Sequence, residues 1–185
     1  MNKDKLISQI NNAKEFEFLF FLDYKEKNSG YLDESCLSQF YPSKFTTIYN
    51  TKEITMPTAE HYMMFSKAIY FKDYEIANKI LDSKNPRDVK ALGRAVKGFD
   101  DKSWREVSFD IVVEGNLQKF SQNSRLKEYL LSTDNKILVE ASPKDRKWGI
   151  GLSANDSRAK NPKEWLGENL LGFALMRVRE ILKNR

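Results

Sequence analysis

TAEHYMMFSKA, Thr58 to Ala68, is the stretch that decides the fold class. Thr58 can act as an N-cap, its hydroxyl accepting from an open N–H of a first turn, and Tyr62, Phe65 and Ile69 follow at helical spacing. A helix is therefore predicted from Pro57 onward, and helical patterning dominates the chain beyond it. Asn85 before Pro86 reads as a second N-cap with proline in the first turn, and Val89, Leu92 and Val96 mark one face until Gly98. A long helix starts near Asp100 and Asp101, with its stripe running through Trp104, Val107 and Ile111 and drifting to Val113, Leu117 and Phe120. A shorter helix spans Leu126 to Leu131, a strand covers Lys136 to Ala141, and a long loop runs from Ser142 to Lys163. The last helix, from about Gly167 to Lys183, buries Leu171, Leu175, Val178 and Leu182.

Upstream of Pro57, the aromatic run FEFLFFL, Phe16 to Leu22, is strand-like, and the polar loop Asp23 to Ser35 is long enough to form a flap. Two small strands follow within Phe40 to Asn50 and Glu53 to Thr55, joined by a turn at Asn50 to Lys52. Residues 1–15 form a peripheral helix or tail. The expected fold is α+β and predominantly helical with a small sheet, and the absence of repeats or composition breaks makes 1–185 a single domain.

Composition removes several functions. The 185 residues carry 31 Lys and Arg against 26 Asp and Glu, a net charge of +5 with the two signs mixed along the chain, which favours anionic small molecules or weak nucleic-acid contact over a dedicated DNA-wrapping surface. One cysteine, Cys36, and one histidine, His61, supply neither a disulfide nor a zinc cage, so no metal is expected and a reducing, cytoplasmic setting is. No window of 18 apolar residues could span a membrane, and the opening residues lack the pattern of a secretory signal. Neither a phosphate loop nor a dinucleotide-binding glycine motif is present; WGIGL is a weak match. A serine triad would have to use His61, and Cys36 in CLSQFYP reads as a small buried hydrophobe more readily than as a nucleophile.

Two segments could carry chemistry. Glu60, Met64 and Lys67 fall at i, i+4 and i+7, so a carboxylate and an amine share one helical stripe. In the first turn, the positive end of the helix dipole favours an ionised Glu60, suiting it to act as a base or to hold a ribose hydroxyl; on spacing alone, ordinary first-turn acid preference is the more common reason for such a residue. Lys67 could bind an anion, activate a sugar or act as an amine nucleophile, or be a surface lysine. In SPKDRKWGIGL, Ser142 to Leu152, the carboxylate of Asp145 stands among Lys144, Arg146 and Lys147, with Trp148 and Gly149 directly after. Cations would meet phosphate oxygens, the indole could stack on a base, and glycine would allow close backbone approach; a charged turn anchored by a core tryptophan is the alternative.

Taken in order, LSQFYPSKF, PTAEHYMMFSKA, ALGRAV, LVEASPKDRKWGIGL and NLLGFALMRVRE resemble the NADAR, or YbiA-like, family over nearly the whole chain from Phe16 to Arg185. The resemblance implies a compact, mainly helical α+β domain that handles NAD, ADP-ribose or related ribosides and hydrolyses N-glycosidic bonds. The substrate would be a phosphorylated riboside of the early riboflavin pathway, or ADP-ribose carried on guanine in nucleic acid. The family's active positions fall on Glu60, Trp104 and Asp145, and the resemblance suggests that Lys67 could attack the sugar carbon. Gln39 stands where the commoner form of the motif has asparagine. Because breaking a C1′–N bond builds positive charge on the ribose, Glu60 is expected on the ribose and water side and Asp145 at the sugar or leaving group. Trp104 and Trp148 would pack on the ligand, Arg94, Lys144, Arg146 and Lys147 would meet phosphate, and Ser38 and Asn169 would supply polar contacts. No cofactor is implied. The alternative is a non-catalytic module that binds NAD or ADP-ribose.

Overall fold

A computed structural model gives the fold and describes residues 1–28 and 30–185; Ser29, within the expected loop Asp23 to Ser35, lies outside the described residues. In chain order the elements are α1 (Lys3–Asn11), β1 (Phe18–Phe21), β2 (Phe45–Tyr49), β3 (Lys52–Met56), α2 (Ala59–Tyr70), α3 (Tyr74–Asp82), α4 (Pro86–Arg94), α5 (Asp101–Ser121), α6 (Ser124–Ser132), β4 (Ile137–Glu140) and α7 (Leu170–Lys183), with short 3-10 turns between some of them. The fold class is as expected, α+β and mostly helical. The strands, however, form two separate pairs: β2 with β3 antiparallel and β1 with β4 parallel. By contacts the chain divides into two compact units, Met1–Ser38 with Arg125–Arg185, and Gln39–Ser124.

The continuous unit, Gln39–Ser124, is built around α2. The β2–β3 hairpin turns through Asn50 and Thr51, both at positive φ, the geometry of a tight two-residue turn whose twist suits the flanking strands. Thr58 then caps α2 by accepting from the His61 N–H. The ring of His61 is fully buried; it bonds the Thr58 hydroxyl through Nδ1 (2.7 Å) and the Ser83 carbonyl through Nε2 (3.1 Å). Burial pushes its pKa below the ordinary 6.5. The neutral Nε2–H tautomer satisfies all of these partners, so His61 ties the start of α2 to the end of α3. The apolar face of α2, with Met63, Met64, Phe65 and Ala68, is buried, each larger side chain contributing roughly 1.5–3 kcal/mol. Helices α3, α4 and α5 all pack on it.

Two glycines set these packing distances. A Cβ on Gly93 of α4 would lie 2.0 Å from Met64 Sδ, and one on Gly115 of α5 would lie 2.5 Å from Tyr62 Cδ1. Helix α3, missed as a separate element by the sequence pattern, begins at an Asp73 cap. That carboxylate accepts from Ile76 N (3.2 Å) through one oxygen and from Lys97 N (2.9 Å) through the other, stapling the start of α3 to the chain beyond α4.

In the other unit, β4 is buried along Ile137, Leu138 and Val139 and pairs with β1 in the register Phe18 to Ile137. Asn169, at left-handed φ just before α7, places its side-chain amide against β4, accepting from Glu140 N (3.0 Å) and donating to the Leu138 carbonyl (2.9 Å). The amide thereby satisfies backbone groups of β4 as a further strand would. Gly172 keeps α7 against β4: a Cβ there would lie 2.0 Å from the Leu138 carbonyl oxygen. Cys36 is fully buried. The loop before it bonds to itself, with Asp33 accepting from Lys27 N (2.7 Å) and Ser35 N (2.9 Å).

Candidate active site

The stripe predicted on α2 is present and faces inward: Glu60, Met64 and Lys67 are 4%, 7% and 8% exposed. A first-turn acid chosen for the helix dipole, or a surface lysine, would ordinarily sit in water, whereas both of these side chains are buried. The Glu60 backbone N–H donates to the Gln39 carbonyl (3.0 Å), which fixes the first turn of α2 to the LSQFYP segment. Gln39 in turn accepts a hydrogen bond from Asn116 of α5 through its side chain (2.8 Å).

The Lys67 amine has a defined seat. Nζ donates to the Gly93 carbonyl at 2.7 Å and lies 3.9 Å from the centroid of the Phe99 ring. Gly93 is in the last turn of α4, where carbonyls lack intrahelical partners and the dipole is negative, and both that oxygen and an aromatic face attract an ammonium. Because Gly93 has no side chain, Met64 can pack against it while its carbonyl reaches the lysine one turn further along α2. Phe99 is 43% exposed and stacks edge-on against Phe71. Trp104 is buried against Tyr70 and Phe71, ring centroids 6.3 Å from each, and belongs to the same aromatic group. Arg94, next to Gly93, is exposed.

Asp145, half-buried, belongs to the other unit, where it organises its own loop. Its Oδ1 accepts from Lys147 N (2.9 Å) and Trp148 N (2.8 Å), an Asx turn that fixes the carboxylate; Oδ2 accepts no hydrogen bond among the described residues. Gly149 is wedged between backbone segments: a Cβ would lie 2.8 Å from the Glu140 carbonyl oxygen and 3.0 Å from that of Asp145. Lys144 and Arg146 are exposed, Lys147 and Trp148 are half-buried, and the Lys147 amine is 6.0 Å from the Trp148 ring. Ser38 is buried, with its backbone N–H bonded to the Ser35 carbonyl. Of the expected polar contacts, Asn169 has both ends of its amide on β4, as described above.

Gly93 and Phe99 were not singled out by sequence reasoning. The signal lay in ALGR, where a glycine in the last turn of a short helix points to close packing, but nothing in a single sequence links it to Lys67. Gln39 and Asn116 were likewise invisible as a pair because 77 positions separate them.

A profile of the NADAR domain matches residues 20–183. The chain belongs to the NADAR family. Its similarity to an N-glycosidase of Acanthamoeba polyphaga mimivirus is 41% identity over 165 residues, 89% of this chain and 95% of the viral one. A riboflavin biosynthesis protein of Zea mays, chloroplastic by name, is 34% identical over 141 residues, which is 72% of this chain and 21% of the maize protein. The NMR structure of the Escherichia coli protein YbiA superposes with a TM-score of 0.69 at 24% identity, covering 92% of this chain and 88% of that one, and shares the fold. This NADAR chain is thus an N-glycosidase by family, with Glu60 and Lys67 buried together on α2 and no helix among its described residues long and apolar enough to cross a membrane.

Proposed function

We propose that the chain hydrolyses the C1′–N bond of a phosphorylated riboside, an early intermediate of riboflavin synthesis, with Glu60, Lys67 and Asp145 as its catalytic residues. The observation that carries this is the burial of an acid and an amine on one face of α2, with the amine seated on a helix-terminal carbonyl and a ring. The name of the maize relative supports the substrate, and the modest net charge of +5 makes no demand for a polynucleotide such as one carrying ADP-ribose on guanine. The match of one NADAR profile to residues 20–183 supports reading 1–185 as a single domain. A cytoplasmic setting suits its single, buried cysteine.

As the C1′–N bond lengthens, its electron pair moves to the departing nitrogen and the ribose carbon gains positive charge. A carboxylate stabilises that charge more than it stabilises the neutral riboside, which is the differential binding catalysis requires, and Glu60 has this role. Asp145 acts at the sugar or leaving group, with Oδ1 held by its loop and Oδ2 open for a proton or a hydroxyl. To attack C1′, Lys67 must be the neutral amine. That attack would expel the base with the bonding pair, and water would then release ribose phosphate and restore the amine. Trp104 walls the sugar side; Trp148 with Gly149 lies against the base; Arg94, Lys144, Arg146 and Lys147 meet phosphate; Ser38 and Asn169 frame the site.

The test is a mass-spectrometric product screen against ribosylaminopyrimidine phosphates, NAD and ADP-ribosylated guanosine oligonucleotides. Free pyrimidine base and ribose phosphate from the first are expected. Release from the oligonucleotide alone would replace the substrate, and binding of ADP-ribose without any released base would make the chain a reader. Borohydride trapping during turnover distinguishes this covalent route from direct attack of water on C1′, because an adduct absent in Lys67→Ala requires the covalent one.

A further inference from the structure

Away from the loop that carries Asp145, a cleft of about 620 Å³ opens beside the amino-terminal ends of β1 and β4, bordered by Phe16, Lys136, Ile137, Met176 and Arg179. The Asp145 loop leaves β4 from its carboxy-terminal end, so the length of the strand, roughly 10 Å, separates the two. A second hollow of about 380 Å³ shares Asp134, Asn135, Met176 and Arg179 with the first and extends it along α1 and α7. Each lies within the range of small-molecule sites.

Arg179 is the unusual residue here. It is 7% exposed, yet no carboxylate lies within ion-pairing distance of it among the described residues. Its contacts are neutral oxygens: Nη1 donates to Thr133 Oγ1 (2.7 Å) and the Thr133 carbonyl (3.5 Å), and Nη2 donates to the Lys136 carbonyl (3.0 Å). Burial pushes the guanidinium below its ordinary range, opposed by Asp134 from a distance. The nearby acids are engaged elsewhere, Glu17 with Lys136 (3.5 Å) and Asp134 with Lys183 (3.2 Å). Clamping the Thr133 to Lys136 turn uses three of five guanidinium N–H groups and would be served as well by a neutral donor; it does not explain a buried positive charge. Lys5, Lys14 and Arg177 also border the joined hollows without an ion-pair partner among the described residues, against Glu15 and Glu180 as acids in the same condition. That surplus of cations suits a dianion, and the half-buried Phe16 and Met176 provide an apolar wall for whatever the anion is attached to.

We infer that this cleft is a second ligand site, which takes a small phosphorylated molecule with its phosphate on the free N–H groups of Arg179 and its body against Phe16 and Met176. The inference is independent of the glycosidase reading, and its test uses no activity. The ¹⁵N-labelled full chain is titrated with inorganic phosphate and with phenyl phosphate, followed by NMR, with sodium chloride at matched ionic strength as the control. Saturable shifts of the Arg179 Nε–H and of the Thr133 and Lys136 amides are expected, with phenyl phosphate binding at least fivefold tighter than phosphate. The double variant Lys14→Gln with Arg177→Gln, which leaves the Arg179 clamp untouched, should weaken phosphate at least fivefold; Arg179→Lys, which keeps charge and loses the fork, should weaken it more. Shifts no larger than those from chloride, shifts confined to Ser142–Leu152, or a double variant within twofold of the parent would each overturn the site.

Discussion

Replacing Gly93 by alanine tests whether the seat of Lys67 depends on close packing of α4 against α2. In an exposed helix interior the change would stabilise by up to about 1 kcal/mol through propensity alone. Here the new methyl carbon would lie 2.0 Å from Met64 Sδ, 2.8 Å from Cγ and 3.2 Å from Cβ. The flexible thioether can swing aside at about 0.5–1.5 kcal/mol, but Cβ is fixed to the helix, so α4 must also give way; overpacking of this kind costs roughly 1–3 kcal/mol. Retreat of α4 also lengthens the 2.7 Å bond from Lys67 to the Gly93 carbonyl, a contact with a charged donor whose loss costs about 1.5–3 kcal/mol when complete. The balance is a net loss of about 1–3 kcal/mol, a fall in Tm of roughly 3–10 °C for a chain of this size. Urea denaturation followed by tryptophan fluorescence would measure it, within a double-mutant cycle with Met64→Ala. Met64→Ala alone should cost about 2–5 kcal/mol, and at least about 1 kcal/mol less in the Gly93→Ala background, where the methyl fills part of the vacated space. Wild-type stability for Gly93→Ala, or additive effects in the cycle, would refute this account of the α2–α4 contact.

Glu60→Gln should leave far-UV circular dichroism unchanged and remove most base release, since the amide keeps the shape and loses the charge; unchanged turnover would take Glu60 out of catalysis. His61 predicts a pH effect on stability: burial holds its folded pKa below 6.5, so above pH 6.5 both states are neutral, and as pH falls below that value the unfolded chain takes up the proton first. Stability should therefore decline from pH 6.5 downward by at most about 1.4 kcal/mol per pH unit until the folded pKa is passed. In His61→Gln this slope should vanish, and denaturation midpoints across pH 7 to 5 would show it. Asp145→Asn retains an oxygen for the Lys147 and Trp148 N–H groups, so Trp148 fluorescence should stay as it is while kcat falls at least tenfold; Asp145→Ala should change both.

The helices were legible in the sequence wherever a cap stood beside a stripe. Thr58, Asn85 and Asp100 each cap the helix expected to start there, and each accepts from the backbone of the first turn. Helix α3 escaped because its cap, Asp73, follows α2 with hardly a break, leaving no turn signal to separate them. The single sheet anticipated is two pairs because parallel pairing of β1 with β4 joins residues 119 positions apart, and nothing local encodes such a partner. For the site, spacing alone placed Glu60 and Lys67 on one face but could not say whether it was inside or out. Their burial depends on α4 and α5 arriving from far along the chain, with Gly93 and Gly115 permitting the approach.

The parallel pairing of β1 with β4 also has a consequence on the ribosome. Gln39–Ser124 is one uninterrupted stretch and can collapse as soon as it emerges, whereas the FLFF strand at Phe18–Phe21 must wait for Ile137–Glu140. At roughly 5–20 residues per second that delay is on the order of ten seconds, during which an aromatic strand is exposed with its partner not yet made. The nascent chain is thus most vulnerable to aggregation at Phe18–Phe21, and a holdase that occupies residues 1–38 would protect that strand until Ile137–Glu140 has been made.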